Sequence, residues 1–264
     1  MGELPEAKDP SALCQASCLL TEVSCPARPA RMVDGLRGTW SLNSWRFLIV
    51  HERSDTKLWF DLGLSGVEEH DLSQYTDHVR SNQVVLFKPQ PPEQNVLDKA
   101  RSAGVEANSI TARNHQPRPL GPRLSRRFPL FPRATVICGP GNASSDGRVV
   151  ARGTQTAPLK AAVWNPKKAE LPLRELPEPS EAPAAGFLAE GLGPFENGHD
   201  FFSGHGSFFG SFPRPVIHPG HLVALARTQN GKGERRWVLL AADALYCDHL
   251  LHYPLAPLWQ GVYP

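Results

Sequence analysis

The sequence predicts a layered α/β (α+β) domain, and three observations carry that expectation. Two apolar runs, "WRFLIV" (Trp45–Val50) and "KLWFDL" (Lys57–Leu62), flank the polar link "HERSDT". A helical pattern, "EQNVLDKARSAGV" (Glu93–Val105), separates that pair from the next strand-like run. A second set of strand-like runs closes the chain, so strands dominate both ends with a helix between them.

The first pair reads as a hairpin, because a short polar link joins two strand-like segments. Their near-continuous hydrophobicity implies that both faces are covered. In the helical stretch Val96, Leu97 and Ala100 recur at helical spacing, and Gly104 stands at a natural stop. "RATVICGPG" (Arg133–Gly141) is a short buried-strand pattern ending in a Gly-Pro-Gly turn. "HDFFSGHGSFFGSF" (His199–Phe212), "HLVALART" (His221–Thr228) and "RWVLLAADAL" (Arg236–Leu245) supply the second set. The insert "QNGKGE" between the last two is a hairpin signal. Residues 1–40 are weakly patterned and receive no assignment, and 41–264 form the expected domain. Residues 142–185, polar and dotted with proline ("LPLRELPEPSEAPAAG"), read as a surface excursion or linker.

The bulk properties exclude several classes. A chain of 264 residues with 41% hydrophobic and 20% charged residues suits a globular protein rather than a disordered one. The 26 prolines imply long connections. A net charge of +2 provides no global field for nucleic acid or an acidic membrane. No segment is apolar enough to span a bilayer. The start "MGELPEAKDP" lacks the basic region of a signal peptide, and Glu6 stands where myristoylation prefers Ser or Thr. A cytoplasmic location is expected. Cys14, Cys18 and Cys25, spaced C-x3-C-x6-C, lack the fourth ligand and tight pairs of a zinc knuckle. Together with Cys138 and Cys247 they read as reduced thiols.

Four candidate residues stand at or beside strand ends. Asp61 closes "LWFDLG", where an acid either orients a site or caps a turn. His218 and His221 surround Pro219-Gly220, a turn that presents a histidine at a strand edge. Asp243 ends the apolar run "LLAADAL", and a buried aspartate is normally paired or metal-bound, unless it caps the next element.

Taken in order, "FLIVHERSDTKLWFDLG", "VLDKARSAGVEANSIT", "FPRATVICGPG", "HDFFSGHGSFFGSF", "PGHLVALART" and "VLLAADA" resemble the metallo-β-lactamase-fold superfamily. The likeness is to a fungal branch similar to N-acyl homoserine lactonases and γ-lactam hydrolases, and it runs from about Arg46 to Asp243. It implies an αββα sandwich of two mixed sheets with helices outside, here incomplete at the C-terminus. It also implies a site at the strand ends along one edge, holding one or two zinc ions. In the family a metal-bound hydroxide attacks a cyclic ester or amide carbonyl, since zinc lowers the pKa of its water to about 7.

The family ligands are His-x-His-x-Asp-His, a Pro-Gly-His, a bridging Asp and a late His. Pro219-Gly220-His221 matches the second of these, and Asp243 matches the bridging aspartate, the one residue carried over as catalytic. The strand follows His221 at once, where the family places several residues and a further His. The first motif falls on "TARNHQPRPLG" (Thr111–Gly121): one register sets Arg113, His115, Pro117 and Arg118 on its four ligand positions, so that His115 alone survives, and the other, anchored on Gly121, keeps none. Neither His249 nor His252 matches the late ligand. A guanidinium cannot ligate zinc. The resemblance therefore implies one zinc ion at most, on His115, His221 and Asp243, and a lactone or lactam as substrate.

Six arginines between Ala107 and Ser145, with no acid among them, would suit phosphate, but proline interleaving and the lack of a recognised module make them a solvated loop. No nucleic-acid or membrane partner is expected, and the oligomeric state is open. The expected function is a metallo-hydrolase homologue with weak or lost activity. The alternative is a non-catalytic relic or interaction protein.

Overall fold

A computed structural model describes residues 13–19, 24–27, 40–43, 45–61, 94–114, 131–140, 172–177, 198–202, 207–210 and 222–242. Within them the element order is β1 (Cys14–Leu19), β2 (Ser24–Ala27), β3 (Trp40–Asn43), β4 (Arg46–His51), β5 (Thr56–Phe60), helix α1 (Val96–Ser102), β6 (Ile110–Asn114), β7 (Thr135–Cys138), β8 (Leu173–Glu175), β9 (Gly198–Asp200), β10 (Ser207–Gly210), β11 (Val223–Gln229) and β12 (Arg235–Leu240). A six-stranded sheet runs β1-β4-β5-β6-β7-β8, a four-stranded sheet β12-β11-β10-β9, and β2 pairs with β3.

The hairpin expected around "HERSDT" is present. β4 and β5 pair antiparallel from Phe47↔Phe60 to His51↔Thr56. The turn closes through side chains: His51 Nδ1 lies 2.7 Å from Ser54 Oγ, which lies 2.7 Å from Thr56 Oγ1. Asp55 takes up φ 49°, a left-handed conformation that aspartate tolerates better than most residues. From β5 onward the large sheet is parallel, through β6, β7 and β8. Parallel neighbours need a crossover, and α1 lies in the β5-to-β6 connection.

α1 begins where its cap allows. The Asn95 side chain accepts hydrogen bonds from the backbone N–H groups of Leu97 (2.9 Å) and Asp98 (3.0 Å), satisfying two donors that have no partner within the helix. It stops at Gly104, whose φ of 72° is free of strain only for glycine.

Two apolar clusters flank the large sheet. On one face Leu48, Trp59, Ile110, Phe131 and Ala134 pack with Val96, Ala100 and Val105 from α1 and the residues just after it. On the other Cys14, Ile49, Leu58, Phe60, Ala112, Ile137 and Leu176 meet Leu222, Ala224, Ala226 and Leu240 of the second sheet. Alternation along β4 and β5 produces this division, since successive side chains point to opposite faces. The expectation that both faces of the hairpin are covered therefore holds. The layers are helix, sheet, sheet.

β6 breaks the alternation, because Ile110 and Ala112 lie in opposite clusters although two residues apart. The register explains it: Lys57 pairs with Ile110 but Leu58 with Ala112, leaving Thr111 as an extra residue. That irregularity rotates the end of β6 by one face, and Thr111 Oγ1 donates to the Lys57 carbonyl at 3.4 Å.

Five strands, β1, β2, β3, β6 and β8, lie where the sequence assigned none. β1 and β2 fall within residues 1–40, and β1 pairs with β4 along its whole length, from Cys14↔His51 to Leu19↔Arg46. β8 falls within the proline-rich stretch 142–185 and pairs in parallel with β7. It is three residues long and stands at the end of the described sheet, between Pro172 and Pro177. Proline, lacking an N–H, is tolerated at such an edge, and the Pro172 carbonyl still accepts from Val136 N at 2.8 Å.

Candidate functional site

The stack of His51 on Phe202 establishes which ends of the two sheets coincide. Their ring centroids are 4.4 Å apart and their planes 11° from parallel. His51 ends β4, and Phe202 follows β9. Face-to-face sheets keep their strand directions within about 30° of one another. In such aligned packing the opposite ends face one another as well, and Phe60, Leu222 and Leu240, all next to those ends, share one apolar cluster. On the large sheet that opposite end carries Asp61, just past the Phe47↔Phe60 and Phe60↔Asn114 pairs, together with the ends of β6 and β7. On the small sheet it carries Gly198, Gly210, Val223 and Leu240.

His115 follows Asn114 in sequence, His221 precedes Leu222, and Asp243 follows Ala242. All three candidate ligands, and His218, lie outside the described residues. The described strands adjoining the three ligands nevertheless end at this one edge. β6 ends there at Asn114, β11 begins there, and β12 ends there, with Ala224 opposite Leu240.

The backbone is strained at the same edge. Among the described residues three non-glycines have positive φ: Asp55 in the hairpin turn, Asp61 at 57° and Ala242 at 50°. The last two sit at the ends of β5 and β12. A left-handed alanine costs roughly 1–2 kcal/mol, and such conformations cluster at functional sites, where the surroundings over-determine them. Asp61 is 4% exposed and Arg46, at the start of β4, is fully buried. The edge thus holds two buried residues of opposite charge type, Arg46 at the start of β4 and Asp61 just past the end of β5.

Arg113, which the resemblance set on the first ligand position in one register, lies inside β6, paired with Trp59 on one side and Val136 on the other. Two imidazoles and a carboxylate are the donor chemistry of a single catalytic zinc. Among the described residues no three His, Cys, Asp or Glu side chains group to hold a metal. Such a centre would take its ligands from His115, His221 and Asp243.

Arg46, His51, His199 and Arg227 are buried polar residues that the sequence reading passed over. Their signal was faint: Arg46, His51 and Arg227 each end an apolar run ("RFLIVH", "LVALAR"). Cys138 is also buried, and its Sγ lies 3.9 Å from the Arg174 carbonyl. Burial pushes its thiol well above the ordinary thiol range, and the charge of Glu175, its register partner, pushes it the same way. That thiol is inert, in contrast to a metal ligand or nucleophile.

No protein-family model and no curated protein matches the chain. Solved structures do. A quorum-quenching N-acyl homoserine lactone hydrolase aligns with a TM-score of 0.52 and 13% identity, over 96% of this chain and 79% of that one. AiiA of B. thuringiensis, in a mutant with N-decanoyl-L-homoserine bound at the active site, aligns with a TM-score of 0.50 and 12% identity, over 82% of this chain and 71% of that one. A further quorum-quenching lactonase gives 0.50 and 13%, over 95% and 78%. At such identities the likeness speaks for architecture alone, and it agrees with the helix–sheet–sheet layering and the mixed large sheet: this chain has the metallo-β-lactamase fold.

Proposed function

We propose that the chain is a metallo-hydrolase homologue of the lactonase/lactamase type with weak or lost ring-opening activity. It would hold at most one zinc ion, on His115, His221 and Asp243. The supporting observation is the shared edge: the strands next to all three residues end there, beside Asp61 and the strained Ala242. A zinc ion bound there would polarise a lactone or lactam carbonyl and acidify a water. His115 and His221 would serve as neutral nitrogen donors, and Asp243 would add the anionic oxygen.

Low activity follows from the donor count. In the register that keeps His115, Arg113 and Arg118 fall on two of the family's first-motif positions, and arginine has five N–H donors and no lone pair for a metal. A fixed positive charge there would also repel the ion, by several kcal/mol at an effective dielectric constant of about 20. The placement of Arg113 within the β6 ladder favours the second reading, a non-catalytic protein on the same fold. Either way a cytoplasmic location is proposed; among the described residues no helix is long and apolar enough to cross a membrane.

Zinc content of the purified, folded protein, measured beside lactone and lactam ring opening with and without added metal, separates the two. One zinc per chain with slow, metal-dependent turnover supports the hydrolase homologue. A folded protein with neither zinc nor turnover leaves the non-catalytic reading standing.

A further inference from the structure

We draw no further inference here: the strongest candidate, the exposed apolar pair Val238 and Leu239 on β12, at the end of the four-stranded sheet among the described residues, carries nothing because nothing in the structure shows what covers it.

Discussion

His51 and Phe202 lie face to face, 4.4 Å between ring centroids, and so tie the end of β4 in one sheet to the turn after β9 in the other. Phe202 also meets Phe201 edge-on at 4.9 Å. Such aromatic pairs contribute about 0.5–1.5 kcal/mol beyond the area they bury. A double-mutant cycle of His51→Ala and Phe202→Ala, read by urea unfolding, should give a coupling of about 1 kcal/mol. Strict additivity of the two losses would show that the rings merely sit near each other.

The cap of α1 offers a cleaner local test. Asn95 satisfies two N–H groups with one side-chain oxygen. Asn95→Ala should cost about 1 kcal/mol, whereas Asn95→Gly should cost only a few tenths, since glycine is tolerated at this position. Equal losses in thermal or urea unfolding would mean that the side-chain bonds do not hold the helix start.

How far the sequence revealed this architecture depended on how far a strand had to be apolar. β4, β5 and β7 were legible because burial on both faces requires unbroken hydrophobic runs such as "FLIV" and "TVIC". β8 was not, because "LRE" is an edge segment stabilised by backbone bonds to β7, which any sequence can make. β1 was hidden for a related reason: "CQASCL" takes its place from pairing with β4 rather than from a pattern of its own. At the edge, Asp61 stood out by its position after an apolar run, with site-orienting and turn-capping readings both open, and it is buried. Ala242 carried no signal, because a left-handed backbone at alanine is imposed by its neighbours and has no signature in composition.

Cys138 makes a prediction about pH. Its folded pKa lies above the ordinary 9.0. The unfolded chain therefore loses the thiol proton first as pH rises, and that release progressively favours the unfolded state. Stability from this group is fully present below the unfolded value of 9.0 and falls as pH rises above it. Cys138→Ala should flatten that alkaline loss in urea titrations between pH 8 and pH 10. In the folded protein Cys138 should resist a thiol reagent at pH 8 and react only on unfolding; rapid labelling in the native state would contradict its burial.

Asp61 distinguishes a metal ligand from a residue that shapes the edge. Its φ of 57° is accessible to asparagine, so Asp61→Asn keeps the backbone while removing the charge. If Asp61 shapes the edge without binding metal, this variant should retain whatever zinc the parent holds and lose stability, by about 1–3 kcal/mol for an altered buried polar group. Loss of zinc with unchanged stability would instead make Asp61 a ligand. His115→Ala supplies the comparison, since a ligand in a three-donor site should lower the zinc content sharply.

Ala242 provides a test of the strained edge that needs neither metal nor substrate. Holding alanine at φ 50° costs roughly 1–2 kcal/mol, a cost glycine escapes because it has no Cβ. Glycine in turn loses about 0.5–1 kcal/mol more backbone entropy on folding. The balance favours glycine slightly, so Ala242→Gly should leave the protein as stable as before, or more stable by about 0.5 kcal/mol. The same change at Ala100, buried inside α1, carries no strain relief and should destabilise by about 1 kcal/mol or more through lost helix propensity and packing. If both substitutions destabilise equally by urea unfolding, the left-handed turn that leads from β12 to Asp243 is not strained, and the edge loses its strongest backbone mark.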